Sequence, residues 1–156
     1  MLEHFYIVDE TTSMTKQDLN GTKLVTMDLS AKLGKEEPLV LIYHTHGSET
    51  YKKVNGKEGS VIEVGTALTK ELENVYGIKT VHDKSVYDMV DGELDRNAAY
   101  NFAGDSVEAA LRKNSSVKVV IDLHRDSVEN NIHLRTKVNG KSAAQIMFFN
   151  GVSRLA

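Results

Sequence analysis

Five consecutive apolar residues, Leu39-Val40-Leu41-Ile42-Tyr43, constrain the fold more than any other stretch of the sequence. The run directly follows Pro38, which is the only proline in the chain. An unbroken apolar run of this length is typical of a β-strand that is buried on both faces, as in the middle of a parallel sheet. Because 156 residues suffice for one domain with a core, the run predicts the central strand of such a domain.

Helical patterns alternate with further short apolar runs after this strand. A capping box, Ser60 with Glu63, predicts the start of the first helix, and Gly77 is well placed to end it. The predicted buried stripe of that helix consists of Val61, Val64, Leu68, Leu72 and Val75. Two more strands are predicted at Ile78–Val81 and Val117–Leu123, with a second helix between them at Asp95–Lys113. This alternation implies crossovers between parallel strands.

The last part of the chain adds an antiparallel feature. Asn139-Gly140 favours a tight hairpin turn, and it lies between predicted strands at Ile132–Val138 and Ala144–Phe149. We therefore predict an α/β fold, a three-layer sandwich in which a mostly parallel sheet is flanked by helices and carries an antiparallel hairpin extension. Residues 1–37 are predicted to form an N-terminal arm, and residues 38–156 to form the domain.

Composition excludes some classes of function. A net charge of -3 and the absence of any lysine or arginine run give no reason to expect a nucleic-acid partner. The absence of cysteine excludes disulfides and cysteine-based zinc sites. No stretch approaches the roughly eighteen apolar residues of a membrane span.

Histidine and aspartate are concentrated where the three predicted strands end. The first strand runs into His44-Thr45-His46, the second ends at His82-Asp83, and the third ends in Asp122-Leu123-His124-Arg125-Asp126. Ligands of parallel sheets bind beyond the carboxyl ends of the strands, so four of the six histidines are expected at one edge. A catalytic Zn²⁺ needs imidazoles and a carboxylate on rigid elements, with one position open for water. The pattern therefore predicts a zinc site at this edge.

The residues alone leave some of the ligand set open. His44 and His124 are the best pair because each follows a buried strand directly. His46 lies two residues after His44, so its side chain would point the same way if the strand continued. It is therefore the alternative to His44 as a ligand, although we expect it to be a hydrogen-bonding loop residue. The carboxylate ligand is either Glu49 or Glu58, which directly precedes the capped helix.

Three further residues are predicted to support this site. Asp122 has the same parity as His124 and suits an acceptor for an imidazole N–H. Arg96 and Arg125 suit the carboxylates of a peptide substrate, because a guanidinium group binds a carboxylate with two parallel hydrogen bonds. His82 is expected to be a polar residue at the rim.

Two histidine motifs carry a resemblance to a known family. The segments Leu41–Tyr51 and Val120–Asp126 resemble the first and second motifs of the stage II sporulation protein P family, and the resemblance covers roughly residues 38–150. The segments Val81–Lys84 and Lys137–Phe148 are similar to the family as well. The family is related to the zinc-dependent N-acetylmuramoyl-L-alanine amidases, so the resemblance implies a zinc amidase-like fold.

The resemblance implies cleavage of the amide between N-acetylmuramic acid and the L-alanine of the peptidoglycan stem peptide, with endopeptidase activity on cross-links also associated with the family. It implies action outside the cytoplasmic membrane, held there by an N-terminal anchor that this sequence lacks. The implied partner during engulfment of the forespore is the lytic transglycosylase stage II sporulation protein D.

Matched residue by residue, the resemblance implies that His44, Glu49 and His124 bind the metal. Taken together with the reasoning from the residues, Glu49 and Arg125 are predicted to be catalytic, and Arg96, Arg125 and His46 to bind substrate. The broader amidase group favours Glu58 over Glu49 instead.

The resemblance also bears on whether the domain is complete. Family members continue with a strand that carries a glutamate thought to be the general acid/base, followed by a covering helix. No residue here matches that glutamate, so we expect residues 38–156 to be a C-terminally incomplete amidase domain that hydrolyses peptidoglycan poorly. The alternative is a module of the same fold that binds the cell wall or a partner and has a degenerate catalytic site.

Overall fold

The computed structural model describes residues 36–51, 58–129 and 134–149, together with Thr22, Thr26, Asp28, Ser30, Ala31 and Ile132. The chain divides into two compact units, Ala31–Ser127 and a second that combines Met1–Ser30 with Val128–Ala156. Most of the predicted arm lies outside the described residues, so the boundary at residue 37 stays a prediction. In the described part of the chain, no helix is both long enough and apolar enough to cross a membrane.

Seven strands and two helices are described. In chain order they are β1 (Val40–Tyr43), α1 (Val61–Asn74), β2 (Thr80–His82), β3 (Met89–Val90), β4 (Glu93–Leu94), α2 (Arg96–Lys113), β5 (Val119–Asp122), β6 (Arg135–Val138) and β7 (Lys141–Ala144).

The core of the unit Ala31–Ser127 is a three-stranded parallel sheet in the order β2-β1-β5. Leu41 and Ile42 in the central strand are 1% and 0% exposed, which confirms the prediction of a strand buried on both faces. Val119 and Val120 of β5, an edge strand of the described sheet, are 46% and 44% exposed, so the prediction that a buried strand precedes His124 was wrong at these two residues. The parallel sheet with its flanking helices confirms the predicted α/β class.

Helix α1 begins at the predicted capping box. The Ser60 side chain accepts a hydrogen bond from the Glu63 backbone N–H, and the Glu63 side chain accepts one from the Ser60 N–H. The buried face runs through Val61 and Gly65, whereas Val64 is 41% exposed. The predicted apolar stripe was therefore wrong at Val64, and likewise at Val75, which lies beyond the helix and is 61% exposed. The reason is that Gly65, the smallest residue of the helix, packs directly against the rings of His44 and His82.

Helix α2 starts at Asp95, whose side chain accepts hydrogen bonds from the backbone N–H groups of Asn97 and Ala98. This is a standard aspartate N-cap, and it satisfies two of the N–H groups that a helix start leaves unpaired. Ala99 and Ala103, one turn apart, form the buried side of the helix.

Two tight hairpins complete the description. Asp91 and Gly92 connect β3 to β4 with positive φ angles of 50° and 86°, as a type I′ turn requires. Asn139 and Gly140 connect β6 to β7 in the same way, with φ of 51° and 77°, which confirms the predicted turn. Because a two-residue turn pairs Val138 directly with Lys141, the second strand starts at Lys141 and not at the predicted Ala144. Among the described residues β6 and β7 form a two-stranded antiparallel sheet, which confirms the predicted hairpin, and its place as an extension of the parallel sheet stays a prediction.

Candidate metal centre

The loop that follows β1 brings two of the predicted site residues together. The backbone N–H of Glu49 donates to the carbonyl of His46 over 3.1 Å, which closes a turn. The carbonyl of Glu49 in turn accepts the N–H of Val61 over 3.1 Å, at the first residue of α1. The turn therefore follows β1 in the sequence at one end and is hydrogen-bonded to the start of α1 at the other.

His46, Glu49 and His124 form one group. One possible ligand atom from each residue lies within 4.8 Å of the other two. The Nδ1 atom of His46 is 3.9 Å from Oε1 of Glu49, and Nδ1 of His124 is 3.8 Å from Oε2 of the same carboxylate. Glu49 is only 5% exposed, so its carboxylate lies inside the protein between the two imidazoles.

Asp122 orients His124 from the side opposite Glu49. Nε2 of His124 donates to Oδ2 of Asp122 over 2.8 Å. The backbone N–H and the hydroxyl of Thr45 donate to the two oxygens of Asp122 over 2.9 and 2.6 Å, which fixes the carboxylate. Burial raises the pKa of Asp122, but the hydrogen bonds from His124 and Thr45 outweigh it and lower the pKa overall. The hydrogen bond to Asp122 raises the pKa of His124.

These residues fit a catalytic zinc ion. Two histidines and a glutamate are a common ligand set of catalytic zinc sites. A metal-binding histidine usually donates its other ring N–H to a carboxylate, and His124 donates to Asp122 in this way. Nε2 of His46 is buried and has no hydrogen-bond partner among the described residues, so this ring has a nitrogen free for another role.

Two arginines lie next to Glu49. Nη1 of Arg96 is 3.4 Å from Oε1 of Glu49, and the Arg96 side chain is 47% exposed. The backbone N–H of Arg125 donates to Oε2 of Glu49 over 2.8 Å, which leaves the guanidinium free of that carboxylate. Nε of Arg125 is buried without a hydrogen-bond partner among the described residues. The structure therefore brings the guanidinium of Arg96 and the backbone of Arg125 to the group.

His44 lies outside this group, although the sequence analysis assigned it to the metal. Its Nδ1–H donates to the Leu123 carbonyl over 2.9 Å, and burial lowers the pKa of the ring. The neutral ring therefore has an unprotonated Nε2, which accepts a hydrogen bond from Nε2–H of His82 over 2.9 Å. His82, predicted to be a rim residue, is the partner of a fully buried histidine. We accordingly replace His44 by His46 in the proposed ligand set.

Glu58 is also apart from the group. Its side chain is exposed and accepts the Thr50 hydroxyl over 2.9 Å. Of the two candidate carboxylates, the structure thus brings Glu49 to the histidines.

Asp88 is a further residue near the group that was not predicted. It is fully buried and hydrogen-bonded to Ser48, in the loop between His46 and Glu49. No periodicity or motif marks Asp88. The neighbouring Asp91-Gly92 dipeptide is typical of a hairpin turn and is the sequence signal closest to Asp88.

Comparisons with known proteins agree with the resemblance. A family model described as Stage II sporulation protein P (SpoIIP) matches residues 4–154. The Stage II sporulation protein P of Bacillus subtilis (strain 168) is 27% identical over 127 residues. The match covers 74% of this chain and 31% of the relative, so the chain spans about a third of that protein's length. No solved structure matches the chain.

Proposed function

Because the chain belongs to the stage II sporulation protein P family, we propose that it acts in sporulation as a zinc-dependent peptidoglycan hydrolase. The bond that it cleaves is the amide between N-acetylmuramic acid and L-alanine, and peptide cross-links are a second class of substrate. The observation that supports this function most directly is the group of His46, the buried Glu49 and His124, beside Arg96 and the backbone of Arg125.

His46, Glu49 and His124 would hold the zinc ion. A bound zinc ion polarises the scissile carbonyl and supplies a water molecule that is acidic near neutral pH. The residues of the chain prepare the site for this chemistry. Asp122 accepts a hydrogen bond from Nε2–H of His124, which leaves Nδ1, the nitrogen that faces Glu49, as the metal-binding atom.

Arg125 and Arg96 are proposed to position the substrate. The stem peptide carries carboxylates, and the guanidinium of Arg125 has a buried Nε that lacks a partner among the described residues. Arg96 is half exposed and is held to Glu49 by a single long contact, so it can turn toward a substrate carboxylate. His46 is proposed to bind the metal and, through it, to contribute to substrate binding.

The cellular setting is part of the proposal. Peptidoglycan lies outside the cytoplasmic membrane, so we place the activity there, at the engulfing membrane, with the full-length protein anchored. The proposed partner is the lytic transglycosylase stage II sporulation protein D, which would act on the glycan strands while this protein removes the stem peptides.

The experiment is product analysis by mass spectrometry after long incubation of the zinc-loaded chain with purified peptidoglycan. Amide cleavage releases stem peptides with a free amino group on L-alanine and leaves glycan with intact lactyl groups. We expect these products from the wild type and from Glu58→Gln, and none from Glu49→Gln. Binding of peptidoglycan without any product would instead support the alternative, a wall-binding module with a degenerate site.

A further inference from the structure

Asp88, at the start of the β3–β4 hairpin, is a buried carboxylate that serves the metal loop. It is 0% exposed, and burying a carboxylate is costly unless hydrogen bonds satisfy its oxygens. Both oxygens are satisfied by one residue: the Ser48 N–H donates to Oδ1 over 3.1 Å, and the Ser48 hydroxyl donates to Oδ2 over 2.6 Å. Ser48 lies in the turn that joins His46 to Glu49, so this pair of bonds fixes the turn from outside.

The residue next to Ser48 is held against the same segment. A Cβ added at Gly47 would lie 3.0 Å from the Ser85 carbonyl oxygen and 3.0 Å from Cα of Val86. The backbone of the turn therefore lies so close to the backbone that precedes Asp88 that a side chain at residue 47 would crowd it. Two consecutive residues of the turn rest on this one segment.

The backbone of Asp88 reaches the other side of the site. Its carbonyl accepts the N–H of Asp95, the N-cap of α2, over 2.9 Å. The first turns of α2 carry Arg96, which contacts Glu49, and Tyr100, whose ring stands edge-on to His46 at a centroid distance of 5.3 Å. One residue thus connects the turn with the helix that faces it.

We propose that Asp88 is a positioning residue for the metal centre. Through Ser48 it holds the imidazole of His46 and the carboxylate of Glu49 at the separation that a metal ion requires, and through Asp95 it keeps α2 in place beside them. This inference rests on the metal site of the proposed function and adds to it a residue that touches neither metal nor substrate.

The test is the zinc affinity of Asp88→Asn, measured by competition with a chelator of known affinity. The change keeps the shape of the side chain but removes the charge and one of its two acceptors. Loss of a residue that orients metal ligands costs about 10- to 100-fold in metal affinity, and we expect a weakening in that range.

Asp83→Asn is the matched control. Asp83 is a half-buried carboxylate on the same segment, and it accepts hydrogen bonds from Tyr87, from the Ser85 N–H at 2.9 Å and from Ser106 at 3.3 Å, none of them in the metal loop. This control should lower the midpoint of thermal unfolding and leave the zinc affinity within about twofold of the wild type. Equal zinc affinities for Asp88→Asn and the wild type would overturn the inference.

Ser48→Ala tests the same contact from its other end, which keeps the test decisive if Asp88→Asn does not fold. We expect about 10-fold weaker zinc binding, restored by Ser48→Thr because threonine keeps the hydroxyl. Unchanged zinc affinity in Ser48→Ala would refute the positioning role of Asp88 but would not refute the metal site. A wild-type chain that binds no zinc would overturn the metal site itself, and this inference with it.

Discussion

Replacing Gly65, inside α1, by alanine should destabilise the protein, whereas Gly→Ala inside a helix usually stabilises it. Glycine inside a helix is less favourable than alanine by about 0.8–1.0 kcal/mol, so Gly→Ala normally stabilises. A Cβ at Gly65, however, would lie 2.6 Å from Nε2 of His82 and 2.8 Å from both Cε1 and Nε2 of His44. Neither ring can yield freely, because the two are hydrogen-bonded to each other and His44 is also held by the Leu123 carbonyl.

Overpacking of this kind costs roughly 1–3 kcal/mol, which exceeds the gain in helix propensity. After that gain is subtracted, we expect Gly65→Ala to lower the free energy of unfolding by up to about 2 kcal/mol. Gly104 is the matched control, because it lies inside α2 and a Cβ there would meet nothing within 4 Å. Gly104→Ala should raise the free energy of unfolding by about 0.5–1 kcal/mol.

Urea unfolding followed by circular dichroism measures both variants against the wild type. The slope of the free energy with urea should be unchanged, so that the midpoints can be compared directly. If Gly65→Ala were stabilised as much as Gly104→Ala, the close packing of α1 on the two histidines would be refuted.

Three further predictions concern capping, acid stability and the carboxylate ligand. Ser60→Ala removes the capping box of α1 and should cost about 1 kcal/mol in urea unfolding, whereas a change within experimental error would contradict the capping geometry. Burial lowers the pKa of both His44 and His82, so the contribution of this pair to the free energy of unfolding should fall as the pH drops below about 6.5, whereas the raised pKa of His124 acts in the opposite direction. Urea titrations at pH 7.5 and 5.5 should show a smaller fall for His82→Gln, and an equal fall would count against the neutral pair. Glu49→Gln should weaken zinc binding far more than Glu58→Gln in metal analysis after dialysis, and the reverse order would return the ligand role to Glu58.

Local patterns predicted the elements that local forces determine. The apolar run predicted β1, the capping box predicted the start of α1, and Asn139-Gly140 predicted a hairpin turn, because each depends on residues close together in sequence. The rule that ligands bind beyond the carboxyl ends of parallel strands placed the histidines at the correct edge of the sheet.

What could not be predicted depends on residues that are distant in the sequence. His44 and His46 are two residues apart, so a strand pattern cannot tell which of them is the ligand. His44 is instead hydrogen-bonded to the Leu123 carbonyl and the His82 ring, which are 79 and 38 residues away in the sequence. The buried face of α1 passes through Gly65 because those same two rings fill the space opposite it. The role of Asp88 depends on Ser48, 40 residues earlier, and no sequence pattern connects the two.

The most direct test of the metal centre is a crystal structure of the zinc-loaded chain with anomalous data at the zinc edge. We predict one strong peak at about 2.0–2.2 Å from a nitrogen of His46, a carboxylate oxygen of Glu49 and Nδ1 of His124, with a fourth position open. The pair formed by His44 and His82 should remain hydrogen-bonded and free of metal. A peak between the Nε2 atoms of His44 and His82, with none at His46 and His124, would contradict the proposed site.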